Sequence, residues 1–236
     1  MTRPLLLDLF CCAGGAGTGY HRAGFEVHGV DIAERPTYPF LMHRGDALEH
    51  LAHLITTGDI ARYAMVHTSP PCQDKCTLTV GTNRSRGWGG VHEDLVGPTR
   101  DLLLRAGLPY VMEQPNGRAK IRKDITLCGE MFGLGVIRHR NFELGGWTAV
   151  RAAHLPHRGR VSGYRHGKKY DGPYVAAYGS GGGKPTIPQL QRAMGITWTD
   201  VREELTEAIP PAYGEWIGRA FLSARTDALP VLWNAA

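Results

Sequence analysis

The 236-residue sequence has no apolar run long enough to span a bilayer. Met1-Thr2-Arg3-Pro4 leads straight into a strand-like segment containing Asp8, which does not read as a signal peptide. The expectation is a cytoplasmic protein without membrane contact. A disulfide framework is missing too. The five cysteines (Cys11, Cys12, Cys72, Cys76, Cys128) are odd in number and irregularly spaced, which fits reduced thiols and leaves room for a reactive one. Cys72 and Cys76 lie too far apart for a common zinc knuckle, and no Cys or His pair sits at a matching distance, so no metal is expected. Acidic residues are absent from 144–170, where Arg151, Arg158, Arg160, Arg165, Lys168 and Lys169 are interleaved with Trp147, Tyr164 and Tyr170. Such a stretch is a solvated surface or a contact for a phosphate backbone. Residues 74–92 lack any periodic apolar pattern and read as a long loop carrying Lys75, Arg84 and Arg86.

What is present amounts to one main domain of ordinary composition, 42% hydrophobic and 21% charged, with a formal charge of +5. The segment Ala64-Met65-Val66 reads as a buried strand that stops at Thr68-Ser69-Pro70-Pro71-Cys72-Gln73. Two prolines stiffen that turn and place Cys72 at a strand end, where α/β proteins gather ligands and catalytic groups. Taken alone, the same residues also describe an inert buried cysteine after a rigid turn.

Upstream, residues 5–10 form a first strand that breaks into Cys11-Cys12-Ala13-Gly14-Gly15-Ala16-Gly17-Thr18-Gly19, followed by a helix over 18–23. Clustered glycines between a strand and a helix let the backbone approach a nucleotide-sized ligand beside a helix N-terminus. A second strand ends at Asp31, the place where this type of fold sets a carboxylate on both ribose hydroxyls. Around Pro36 and Pro39 the chain is turn-rich. Asp46 then precedes a helix over 47–55, where it serves either as an N-cap or as an acceptor for an exocyclic amine. Residues 94–106 have helical spacing, and residues 109–112 form a further strand ending at Glu113-Gln114-Pro115, which makes Glu113 a candidate proton donor.

Together these segments resemble the DNA cytosine C5-methyltransferases. Asp8-Leu9-Phe10 with Gly14-Gly15 is similar to that family's cofactor loop, and Pro71-Cys72-Gln73 to its catalytic turn. Glu113-Gln114-Pro115 stands where the family has Glu-Asn-Val, and Arg138-His139-Arg140 with Asn141-Phe142-Glu143 resembles its Gln-x-Arg-x-Arg segment. Residues 189–195 and 209–218 resemble the closing pair of motifs. Cys12 replaces a family glycine, and Ala212-Tyr213-Gly214-Glu215-Trp216 replaces the usual Gly-Asn pair. Fewer than fifty residues separate Arg140 from Gln189, so the recognition region is reduced.

The resemblance implies a Rossmann-like α/β fold for S-adenosylmethionine-dependent methyl transfer, with a mostly parallel sheet. It divides into a catalytic and cofactor-binding part (1–143), a small recognition region (144–185) and C-terminal helices completing the catalytic part (186–236). It implies cofactor contacts at Asp8, Phe10, Cys12, Gly14, Gly15, Asp31, Ile32, Asp46, Ala47, Pro70 and Glu215. Catalysis falls to Cys72, Glu113, Arg138 and Arg140. Nucleic-acid contacts fall to Gln73, Arg84, Arg86, Arg158, Arg160, Arg165, Lys168 and Lys169. The implied partner is DNA, or alternatively RNA, and a monomer is expected. A nicotinamide-dependent oxidoreductase would share the glycine loop and the strand-end acid but not Pro-Pro-Cys-Gln. A silent nucleic-acid-binding module would need neither Cys72 nor Glu113.

Overall fold

The computed structural model describes residues 2–71, 94–117, 121–154, 156–165, 168–178 and 185–227. Strands β1 (Leu5–Leu9), β2 (Glu26–Asp31), β3 (Leu41–Arg44), β4 (Tyr63–Thr68), β5 (Tyr110–Pro115), β6 (Ile125–Leu127) and β7 (Arg140–Gly145) form one sheet, ordered β3-β2-β1-β4-β5-β7-β6. The first five are mutually parallel, and β7 runs antiparallel to both of its neighbours. The chain moves outward from β1 to β3, then returns to place β4 on the other side of β1. In open α/β sheets such a reversal is the place, beyond the strands' carboxyl ends, where ligands bind.

Side chains alternate across a strand, so a continuous apolar run feeds two cores at once. Leu6, Met65 and Val111 face a layer made by α1 (Gly15–Ala23) and the C-terminal helix, with Tyr20, Tyr213, Ile217 and Phe221 buried in it. Leu7, Val66 and Met112 face the opposite layer, with Leu51 and Leu54 of α2 (Ala47–Thr57) and Leu103 of α3 (Val96–Ala106). A third cluster joins Val136, Leu190, Met194, Ile196 and Leu205, using α4 (Ile187–Met194) and α5 (Arg202–Glu207). Glu143 of β7 is buried and saturated. It accepts from Arg100 (3.1 and 2.8 Å), the Tyr110 hydroxyl (3.0 Å) and the Arg122 amide (2.9 Å), fastening α3 to the β5–β7 pair.

Three details differ from the sequence reading. Helix α1 starts at Gly15, ahead of the expected 18, because its glycines serve helix packing. A β-carbon on Gly19 would collide with the Pro211 carbonyl oxygen, and one on Gly15 with that of Ile209. These glycines let Ile209 and the start of α6 (Pro211–Asp227) lie close against α1. The turn-rich stretch yields an edge strand, β3, whose mostly exposed side chains carry no alternating signal. Gly97 and Pro98 lie in the first turn of α3, where proline's missing N–H has no intrahelical partner to lose. Within 144–185, β8 (Gly163–Arg165) and β9 (Lys168–Tyr170) form a separate antiparallel pair. No described helix is long and apolar enough to cross a membrane.

Candidate active site

Where β1 ends, Phe10 and Cys12 adopt positive φ (58° and 46°), followed by Gly14 at 77°. Two non-glycine residues in the left-handed region within three positions mark stored strain, which persists only where surrounding contacts hold it. The contacts are visible. The Cys11 amide donates to the Val30 carbonyl (3.1 Å), the Gly14 amide to Cys11 (2.9 Å), and Trp198 Nε1 to Ala13 (2.7 Å). The Cys12 amide donates to Asp31 Oδ2 (2.9 Å), which ties the turn to the tip of β2.

Asp31 is almost buried. Its Oδ1 accepts from the Ala33 amide (2.9 Å) and Arg35 Nε (3.4 Å). Each carboxylate oxygen has two acceptor sites, so among the described residues the spare capacity lies on Oδ2. The structure therefore offers one ribose hydroxyl a ready acceptor, where the sequence suggested two. The next residue, Ile32, exposes 73% of its surface, a large apolar side chain standing beside the carboxylate. The Gly45 amide donates to the Asp31 carbonyl (3.0 Å), which brings Asp46 to the same rim. Asp46 caps α2 through Oδ1 alone, accepting from Leu48 (2.8 Å) and Glu49 (2.9 Å). The cap and a ligand contact through Oδ2 are therefore compatible, and Ala47 follows as the buried first residue of α2.

Asp8 lies beneath this turn, 1% exposed, with the Tyr38 hydroxyl 3.5 Å from Oδ2. Burial holds its carboxyl well above the usual range, opposed by the Tyr38 hydrogen bond. The thiols beside it are passive. Burial, then Asp8, pushes Cys11 up, and burial pushes Cys12 up to about 11 against the pull of Arg35. Neither is an available thiolate near neutral pH.

The second half of the site is made by β4, β5 and β7. At the β4 tip the Ser69 amide donates to the Leu9 carbonyl (3.3 Å), and His67 Nε2 lies 3.1 Å from the Ser69 hydroxyl. Gln114 Nε2, 1% exposed, donates to the Pro70 carbonyl at 2.6 Å. The glutamine that stands in place of the family's asparagine thus fastens the Pro-Pro turn to the tip of β5. Glu113, the residue before it, is buried and pairs with Arg140 Nε at 2.7 Å. Register places Pro115 opposite Arg140, so the first residue of β7 reaches the end of β5. Cys72, Gln73, Arg84 and Arg86 lie outside the described residues.

Arg138, expected beside the reacting sulfur, has another task. Its guanidinium donates to the carbonyls of Ala177 (2.6 Å), Thr206 (2.7 Å) and Glu207 (3.1 Å), while its own carbonyl accepts from Tyr213 (2.6 Å). It clamps the entry of β7 to the C-terminal segment and leaves Arg140 as the arginine on the acid. Glu215, expected at the cofactor, pairs instead with Arg219 one helical turn on (2.8 Å). Glu207 is the residue that the sequence reading missed. Its carboxyl is held above the ordinary range by desolvation, against the pull of Arg35, with Glu203 and then Asp31 adding to the rise. This places it in the field of the β2 tip. Its position just before Ile209-Pro210-Pro211 was the available signal.

The basic stretch is partly neutralised internally. Arg158 Nε meets Glu130 (2.7 Å), Lys169 meets Asp171 (3.3 Å), and Arg160 and Lys168 lie 5.6 and 5.7 Å from the Tyr170 ring centre. Arg165 lies on β8, its side chain outside the described residues.

No family model matches the chain, and no curated protein does. Among solved structures, an Entamoeba histolytica methyltransferase, EhMeth, is 10% identical with a TM-score of 0.57, and the match covers 94% of this chain and 99% of that one. A SAM-dependent methyltransferase from Agrobacterium tumefaciens is 20% identical with a TM-score of 0.36; the match covers 51% of this chain and 42% of that one. A Spodoptera frugiperda DNMT2 mutant is 14% identical with a TM-score of 0.42; here the shares are 65% and 56%. At 10% identity it is the fold alone that is shared with EhMeth. The chain has the Rossmann-like architecture of EhMeth over nearly its whole length, with a reversed seventh strand inserted next to the sheet's edge.

Proposed function

We propose that the protein transfers a methyl group from S-adenosylmethionine to carbon 5 of cytosine in DNA. The observation that carries this reading is the pair of contacts at the β5 tip. Gln114 holds the carbonyl of Pro70, two residues before Cys72, while the adjacent Glu113 is held by Arg140. The strand that leads to Cys72 and the strand that carries Glu113 are parallel neighbours, β4 and β5, and β4 adjoins β1 with its glycine turn. The β1–β2 rim fits the adenosine end of the cofactor. Ile32 supplies an apolar wall for the base, Asp31 Oδ2 an acceptor for the ribose and Asp46 an acceptor for the amine. When bound, the cofactor supplies an electrophilic methyl group.

Carbon 5 of cytosine is a weak nucleophile until the ring's aromaticity is interrupted. Cys72 forms a bond to carbon 6, and the electron pair of the 5,6 double bond becomes available at carbon 5. Negative charge moves toward N3, where Glu113 delivers a proton once the bound base has expelled water, and Arg140 keeps that carboxyl in place. After methylation, loss of the carbon 5 proton expels the Cys72 thiolate, and N3 returns its proton to Glu113 as the ring is restored. A base inside a duplex cannot reach a strand-end thiol, so the cytosine must be flipped out or supplied from a single strand. The strand order speaks against a dinucleotide oxidoreductase, whose sheet runs 3-2-1-4-5-6 in parallel, without an antiparallel insertion.

Transfer of radiolabelled methyl to DNA and to RNA, followed by nucleoside analysis, tests the reading. The expected product is 5-methylcytosine in DNA, absent with Cys72→Ser although that variant still binds S-adenosylmethionine. Label in RNA alone moves the substrate to RNA, and label in neither overturns the proposal.

A further inference from the structure

Four metal-ligating side chains from three segments of the chain converge beside this site. Cys128 follows β6, His139 immediately precedes β7, and His154 and His157 belong to the acid-free stretch. One ligand atom from each lies within 4.8 Å of all the others. His139 Nε2 is 3.0 Å from His154 Nε2 and 3.3 Å from His157 Nε2.

Hydrogen bonding does not account for this arrangement. An imidazole nitrogen carries either one proton or one in-plane lone pair, so His139 Nε2 can satisfy one of its two neighbours. A single cation satisfies all of them. Zinc–nitrogen bonds of about 2.0–2.1 Å at tetrahedral angles bring ligand nitrogens to about 3.3 Å from each other. The outer contacts agree as well. Glu130 Oε2 lies 2.7 Å from His157 Nδ1, and because a carboxylate only accepts, the proton sits on Nδ1 and the Nε2 lone pair faces the cluster. Glu130 is itself held by the amide and Nε of Arg158 (3.1 and 2.7 Å).

We propose that Cys128, His139, His154 and His157 bind one zinc ion in a closed, structural site. Sulfur with three imidazoles selects zinc over magnesium or calcium, and four protein ligands leave no position for water or substrate. The ion fastens the start of the basic stretch to the β6–β7 edge, next to Arg140. The expectation of no metal started from Cys72 and Cys76 and a partner pair for them, whereas folding brings Cys128 and His139 to the nearby pair His154 and His157.

Metal analysis of the full chain, purified without chelator, is expected to give one zinc per molecule. Reconstitution with cobalt(II) is expected to give tetrahedral d–d bands and a sulfur-to-cobalt charge-transfer band, the latter lost in Cys128→Ser. Because Cys128 is fully buried, its substitution can impair folding for other reasons. His154 is exposed, and His154→Ala is expected to fold yet lose zinc and the zinc-dependent rise in melting temperature. Only traces of metal in the wild-type chain, no d–d bands with cobalt, and a melting temperature indifferent to zinc would overturn the proposal.

Discussion

The β1–β2 rim and the β4–β5–β7 tip lie at the same end of one sheet but are held together by different means. At the rim, most of the contacts join neighbouring strands or adjacent residues: Cys12 to Asp31, Asp31 to Ala33, Asp46 to its own helix, with Trp198 to Ala13 as the long-range exception. Shape there comes from backbone conformation. At the tip, the contacts join segments dozens of residues apart: Gln114 to Pro70, Glu113 to Arg140, Arg138 to Thr206. Shape there comes from side chains whose buried polar atoms have few alternative partners, and it is sensitive to a single truncation. The rim is therefore expected to fail through stability or cofactor affinity, and the tip through turnover.

The most severe test of this contrast is Glu113→Gln. Removing the proposed proton donor is expected to lower kcat by about 10²–10⁴-fold while the affinity for S-adenosylmethionine, measured by calorimetry, stays unchanged. A large loss of cofactor affinity would merge the two halves. Gly19→Ala forces a methyl group into the α1–α6 contact and is expected to destabilise the fold by about 1–3 kcal/mol in urea titrations. An unchanged unfolding midpoint would show that α6 yields easily.

Between the halves sits His67, fully buried, bonded to Tyr20 at 3.0 Å and lowered by burial from 6.5 to about 3. The unfolded chain takes up a proton near pH 6.5 that the folded chain refuses until near pH 3. Stability from this group is thus complete above pH 6.5 and declines as pH falls through that window, by about 1.4 kcal/mol per unit. His67→Gln is expected to flatten the pH dependence of the unfolding free energy between pH 6.5 and 4.5, and an unaltered slope would assign it to other groups. Smallest is Asp46→Ala, expected to lower stability by about 1 kcal/mol through loss of the cap. Asp46→Ser restores the cap, so any weakening of cofactor binding that remains with serine isolates the ligand contact.

Legibility followed the same division. The strand before Cys72, the strand ending at Asp31 and the helix after Asp46 were readable, because apolar runs and caps are local signals. Edge strand β3 was not, since exposed Leu41-Met42-His43-Arg44 has no buried face to impose a pattern. The glycines of α1 were visible but their purpose was not. Clearance for Pro211 and Ile209 depends on a helix nearly two hundred residues away. Arg138 and Arg140 were both candidates for the charge beside the sulfur, with Arg140 also read as orienting Glu113; the folded chain pairs Arg140 with Glu113 and turns Arg138 toward carbonyl oxygens.

The sequence by itself determined an α/β chain with a glycine turn, a strand-end acid and a proline-stiffened cysteine, because each depends on residues within a few positions of one another. Tertiary structure decided which side chains meet: Gln114 with Pro70, Arg140 with Glu113, and Cys128 with three distant histidines. Those meetings follow from strand order and from the reversal of β7. Crossover connections set both across long stretches of chain, and no local pattern encodes them.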